Sequence, residues 1–199
     1  GLRCRSRKST GPSNMGLNAE SRIGLFGGSF DPVHNGHLEI ARESLRQFKL
    51  DRVLFIPAAQ SPLKEHSPRT SDQERIEMLE LAIAENECFE ICLDEIERGG
   101  VSYSFETANS VQQRFPEARL FWILGGDQAQ QLSHWRNIAS LAKTVEFICL
   151  PRNGEELSTP SLPPEVRLSM LDIPLIEISS TQIRQSLNDS PNSNTLLPE

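Results

Sequence analysis

The chain has 199 residues, ordinary hydrophobic and charged fractions and a formal net charge of −7, which suits one globular domain with a substantial core. The acidic balance argues against a surface that coats nucleic acid, and no stretch reaches the ~18–20 apolar residues of a membrane-spanning helix. Cys4, Cys88, Cys92 and Cys149 include no Cys-x-x-Cys pair; Cys88 and Cys149, in or beside apolar runs, are expected as buried free thiols, with nothing pointing to an oxidising compartment.

Residues 1–14 carry four positive charges, no acid and no periodicity. They read either as the remnant of a targeting segment or, the plainer reading, as an upstream extension with Met15 as the natural start. Residues 1–20 are expected to be disordered, with one domain over 21–190 and a frayed tail over 191–199.

Arg22 to Phe26 reads as a short strand and Leu38 to Phe48 as an amphipathic helix, with a glycine-rich turn over 27–37 between them. Asp51 to Pro57 is a second strand, and 58–70 a loop. Ser71 and Glu74 form a capping-box pattern before a helix whose apolar positions Ile76, Leu79 and Ile83 follow a helical period. A strand over Phe89 to Leu93, a turn at Gly99-Gly100 and a helix over Phe105 to Phe115 follow. Leu120 to Leu124 is continuously apolar, as a parallel strand buried on both faces would be. Gly125-Gly126-Asp127 ends it and begins another helix. Val145 to Leu150 is the next strand, 151–164 a proline-rich loop, Leu175 to Ile178 a short strand, and Ser180 the cap of a helix to Leu187. Strands alternating with helices predict an α/β fold with a mainly parallel sheet. Ligands of such sheets bind beyond the carboxyl ends of the strands at a switch point; the turns at 27–37, 125–127 and 178–184 all fall at such ends.

The turn at 27–37, Gly-Gly-Ser-Phe-Asp-Pro-Val-His-Asn-Gly-His, carries the chemistry. Gly27 and Gly28 let the backbone come close to a ligand. The helix start offers unpaired N–H groups and partial positive charge to a phosphate. His34 and His37 beside it can donate hydrogen bonds and charge where charge develops in a transition state. A metal pair is the poorer reading, since a structural zinc site takes four ligands and no cysteine is near.

This run resembles the signature of the nucleotidyltransferases with a His-x-Gly-His motif, and more narrowly the bacterial nicotinate mononucleotide adenylyltransferases. Ile178-Ser179-Ser180-Thr181-Gln182-Ile183-Arg184 resembles a second signature of the same superfamily. The resemblance implies a Rossmann-like, doubly wound sheet with helices on both faces. It implies transfer of the adenylyl group of ATP to nicotinate mononucleotide, giving deamido-NAD and pyrophosphate, in a cytoplasmic enzyme, or an organelle-targeted one if residues 1–14 are a targeting remnant.

The resemblance also assigns residues. His34, His37 and Arg184 are implied as the catalytic set. Gly27, Gly28, Ser29, Phe30, Gly36, Asp127, Ser179, Ser180, Ile183 and Lys64 are implied for ATP, and Ser102, Tyr103, Thr107, Trp135 and Arg152 for nicotinate mononucleotide. Arginine suits pyrophosphate because its fork matches phosphate oxygens; alone, Arg184 would read as a solvated helix charge, Asp127 as an N-cap and Trp135 as a core residue. The sequence departs from the family at Ser104, where threonine is usual, after Arg152, where a proline is missing, and at Ser61-Pro62-Leu63-Lys64, where the family carries a histidine. His66 and His134 read as surface residues. Mg²⁺ is implied as a companion of the ATP phosphates, with no protein cage for it.

Two rival readings stay open: another superfamily member, of the phosphopantetheine or glycerol-phosphate type, and a non-catalytic nucleotide sensor. The implied partners are ATP and nicotinate mononucleotide, with neither nucleic acid nor membrane; the sequence leaves oligomeric state open.

Overall fold

The computed structural model describes residues 21–59, 70–150 and 162–173. The sheet is built from β1 (Arg22–Gly28), β2 (Arg52–Pro57), β3 (Phe89–Ile91), β4 (Arg119–Gly125), β5 (Val145–Leu150) and β6 (Leu168–Met170). Their spatial order is β3-β2-β1-β4-β5-β6, and every pairing is parallel. The helices are α1 (Asn35–Phe48), α2 (Asp72–Ile83), α3 (Asp94–Arg98), α4 (Ser104–Arg114), α5 (Gly126–Gln130) and α6 (Ile138–Thr144), with a 3₁₀ turn over Leu132–His134. None of the described helices is long and apolar enough to cross a membrane.

Period-two alternation along the strands feeds two cores. Ile23, Leu25, Leu54, Ile56, Leu120, Trp122, Leu124, Phe147 and Cys149 point to one face, with Ala108 and Val111 of α4 and Leu141 of α6. Phe26, Val53, Phe55, Phe121, Ile123 and Ile148 point to the other, with Leu38 and Ala41 of α1 and Leu79 and Ile83 of α2. Apolar residues on both strand faces force helices onto both sides of the sheet, which is the doubly wound, Rossmann-like arrangement expected. From β1 the chain winds outward through β2 to β3, then returns to β4 on the other side of β1 and winds outward to β6. The carboxyl ends of β1 and β4 therefore flank the switch point.

The structure moves several boundaries. Gly27 and Gly28 belong to β1 rather than to the turn: Gly28 pairs with Pro57, and its carbonyl accepts from the Ala58 N–H at 2.9 Å. α1 begins at Asn35, not Leu38, so both signature histidines sit at its first turn. Ser71 caps α2 as its pattern predicts, accepting from the Glu74 N–H at 3.3 Å while the Glu74 carboxylate accepts from the Ser71 N–H at 3.0 Å. β6 and the short α3 were not legible, because three- and five-residue elements carry too few periodic positions. The expected strand at 175–178, its following helix, and the segments 1–20 and 191–199 lie outside the described residues.

Cys149 is a buried free thiol, as is Cys92. Cys88 departs from expectation in being half-buried. Its place in the turn between α2 and β3 takes it out of the core.

Candidate active site

β1 delivers the chain to the switch point, and the turn 29–34 reverses it into α1. The two glycines are set by packing. A Cβ on Gly27 would stand 3.3 Å from the Trp122 ring, and one on Gly28 3.0–3.2 Å from three atoms of the Phe30 ring. Phe30 folds back over β1 with φ of 45°, a backbone region that costs a non-glycine residue about 1 kcal/mol or more. Its buried ring meets Phe26 and Phe55 at centroid distances of 5.6 Å each and His37 at 5.0 Å. The Asp31 carboxylate is buried and accepts from the Thr70 hydroxyl.

His34 is the N-cap of α1 and His37 its third residue. The His34 carbonyl accepts from the His37 N–H at 2.9 Å and, more weakly, from Leu38 at 3.4 Å. The N–H groups of Asn35 and Gly36 fall on the first turn, where the helix itself supplies no acceptor. His34 is only 5% exposed, and burial lowers its pKa from 6.5 to about 4. At neutral pH it is thus an uncharged imidazole. It offers a hydrogen bond rather than a resident positive charge until an anion arrives to raise its pKa. Its buried Nδ1 has no hydrogen-bond partner among the described residues.

Asp127 is exposed in the first turn of α5, whose N-cap is Gly125. It is therefore not the N-cap that its position alone suggested. It stands at the β4 end of the switch point, across from the β1 end that carries Gly28.

A second cluster lies around the start of α4, on the opposite face of the sheet from α1 and α2. Ser102 and Thr107 are buried, and their hydroxyls are engaged within the protein: Arg98 donates to Ser102 Oγ at 3.2 Å and to Thr107 Oγ1 at 3.5 Å, and Thr107 donates to Glu95 at 3.0 Å. Burial pushes the Glu95 carboxyl upward, and the Thr107 hydrogen bond and Arg98 charge oppose it. Tyr103 is half-buried, and the Arg136 guanidinium lies 4.7 Å from its ring centroid, so the 102–107 segment meets the 135–136 turn. Trp135 is half-buried and edge-on to Trp122 at 6.1 Å and 86°; its buried Nε1 lacks a partner among the described residues. It thus packs against the core and also stays partly open.

The structure brings His34, His37, Gly27, Gly28, Ser29, Phe30 and Gly36 together at the start of α1. Ser102, Tyr103 and Thr107 gather at the start of α4, where Tyr103 meets Arg136 beside Trp135. Lys64, Arg152, Ser179, Ser180, Ile183 and Arg184 lie outside the described residues, as does His66; His134 is exposed as expected. Among the described residues no three or more His, Cys, Asp or Glu side chains cluster in a way that could hold a metal ion. Sequence reasoning missed Glu95, Arg136 and Arg75. Only Arg75 had a usable signal, a charge on the apolar stripe of a predicted helix.

The family described as cytidylyltransferase-like matches residues 25–186. The nicotinate-nucleotide adenylyltransferase of Bacillus subtilis is 39% identical over 178 residues, covering 89% of this chain and 92% of the relative. A protein of Opitutus terrae named "probable nicotinate-nucleotide adenylyltransferase" is 43% identical over 163 residues, covering 82% and 84%. The Plasmodium falciparum nicotinic acid mononucleotide adenylyltransferase solved with NaAD shares the fold, with a TM-score of 0.66, 18% identity and coverage of 84% of each chain.

Proposed function

We infer the reaction from one premise: the chain belongs to the cytidylyltransferase-like family and, within it, to the nicotinate-nucleotide adenylyltransferases. It transfers the adenylyl group of ATP to nicotinate mononucleotide, giving deamido-NAD and pyrophosphate in NAD biosynthesis. The observation that carries this reading is the pair His34 and His37, presented together on the first turn of α1 at the β1/β4 switch point.

The acceptor's 5′-phosphate is largely ionised at neutral pH, its second pKa being about 6. One of its oxygens bonds to the α-phosphorus of ATP, the bond from that phosphorus to the bridging oxygen breaks, and the electron pair leaves with pyrophosphate. No general base is required. Positioning and stabilisation of charge supply the acceleration. The N–H groups at the start of α1 meet phosphate oxygens, and the His34 and His37 imidazoles donate to the charge in transit. Asp127 stands at the adenosine. Trp135 stacks on the pyridine ring, while the open first-turn N–H groups of α4 at Ser104 and Phe105 receive its carboxylate. The Thr107 hydroxyl donates its proton to Glu95 and shapes this subsite, while Ser102 Oγ, which accepts from Arg98, keeps its own proton for a substrate oxygen. Arg184, Ser179, Ser180, Ile183, Lys64 and Arg152 join the proposal by resemblance alone, as does the domain span 21–190.

Mg²⁺ belongs to the proposal as a companion of ATP. The imidazole-rich donor set at the α1 turn suits phosphate oxygens better than a hard cation, which prefers carboxylates and water; no step is routed through the metal. We place the enzyme in the cytoplasm, where ATP is supplied.

The test is pyrophosphate release from ATP with nicotinate mononucleotide, its amide, 4′-phosphopantetheine or glycerol 3-phosphate as acceptor. Turnover with the pyridine nucleotide and not with the last two is expected. Turnover with either of those in its place would move the chain to a sister branch of the superfamily. ATP binding without turnover on any acceptor would make it a sensor.

A further inference from the structure

Arg75 occupies a position where a leucine would be expected. Arg75, Leu79 and Ile83 recur every four residues along α2, and all three face inward. The Arg75 side chain is fully buried, a placement that is costly for an ion not matched by partners. Its Nη1 donates to the Ser29 carbonyl at 2.6 Å and its Nη2 to the Asp72 carboxylate at 2.5 Å. One turn earlier the Thr70 hydroxyl donates to the Asp31 carboxylate. The start of α2 thus grips the signature turn on both sides of Phe30, the residue in the left-handed region. Phe30 in turn packs edge-on against His37.

We propose that Arg75 is a positioning residue for ATP: with Thr70 it clamps Ser29 and Asp31, fixing the Phe30 turn against His37 and the phosphate-binding start of α1. The clamp rests on the adenylyl-transfer reading for its catalytic consequence, but not for its effect on ATP binding. A buried guanidinium at this point has two advantages over an apolar side chain. Its planar fork reaches a carbonyl and a carboxylate at once, and its charge lies behind the turn that receives phosphates.

The experiment compares the full chain with Arg75→Met, Arg75→Lys and Thr70→Val. It measures kcat, KM for ATP, KM for nicotinate mononucleotide, the Kd of ATP by calorimetry and the melting temperature. Arg75→Met and Thr70→Val should each raise KM and Kd for ATP by about fivefold or more, with Arg75→Lys recovering less than half of the loss, in line with one charge-assisted hydrogen bond. KM for nicotinate mononucleotide should stay within about twofold, because its proposed subsite lies on the opposite face of the sheet from α2. A merely structural role would lower the melting temperature and leave this split absent. ATP parameters within about twofold of the parent in both Arg75→Lys and Thr70→Val overturn the clamp, and these two variants decide if Arg75→Met does not fold. Should the parent turn over no acceptor, the adenylyl-transfer reading fails by itself, and the ATP Kd values still decide the clamp.

Discussion

The backbone N–H of His34 donates to Nδ1 of His37 at 3.2 Å, and the two imidazoles stack with centroids 3.6 Å apart at 27°. Nδ1 of His37 is therefore an acceptor, so its neutral ring carries the proton on Nε2. The same bond ties the two rings into one unit whose geometry is set by the start of α1.

Removing either ring should cost catalysis more than folding. His34→Ala and His37→Ala are each expected to lower kcat by about tenfold or more, equivalent to about 1.4 kcal/mol of transition-state stabilisation. Steady-state pyrophosphate release, corrected for folded fraction by circular dichroism, is the measurement. Near-parental turnover in both would remove the histidines from the chemistry.

Stability should depend on pH through His34. In the unfolded chain its pKa is 6.5, and in the fold it is lowered to about 4. Between those values the unfolded chain binds more protons than the folded one, so stability rises with pH through that window. It is lost as pH falls from 6.5 towards 4, by about 2 kcal/mol once solvent screening is allowed for. Urea titrations at the two ends of the window should show the parent losing that much more than His34→Gln. Equal losses would show that the ring is not kept neutral by burial.

A single methyl group at Gly28 should disturb the turn. The new Cβ would stand 3.0–3.2 Å from the Phe30 ring, which is itself buried and held against His37. Gly28→Ala is expected to destabilise by about 1–3 kcal/mol as the ring is displaced. KM for ATP should rise with it. A variant with unchanged melting temperature and KM would mean that the Phe30 ring shifts freely.

The acid should be preferred to the amide. In the proposed subsite, a carboxylate would accept charge-assisted bonds from the first-turn N–H groups of α4 at Ser104 and Phe105, whereas an amide would turn its own donor towards them. A preference of about tenfold or more in kcat/KM for nicotinate mononucleotide follows from one such mismatch. Trp135→Ala should raise KM for both mononucleotides alike. It should also lower the melting temperature, since Trp135 packs edge-on to Trp122; Trp135→Phe should restore the temperature first. Equal kcat/KM for acid and amide would refute the preference, and unchanged KM in Trp135→Ala would leave that residue to the core alone.

Local signals determined a large part of this protein. Short apolar runs in β1, β2, β4 and β5, the Ser71–Glu74 cap and the run from Gly27 to His37 each act within a few residues, and each predicts its element without knowledge of the rest. They place the histidines at a strand-to-helix turn and imply a phosphate. The tertiary structure decided what depends on distant pairing. Gly28 became strand because Ala58 donates to its carbonyl. The Thr107 hydroxyl turned inward because Glu95 accepts it. Arg75 became part of the site because the Ser29 carbonyl, on another element, lies within hydrogen-bonding reach. A hydrogen bond between residues so far apart in the chain leaves no periodicity in either segment, so only the packing of α2 against β2 and β3, beside the signature turn, reveals it.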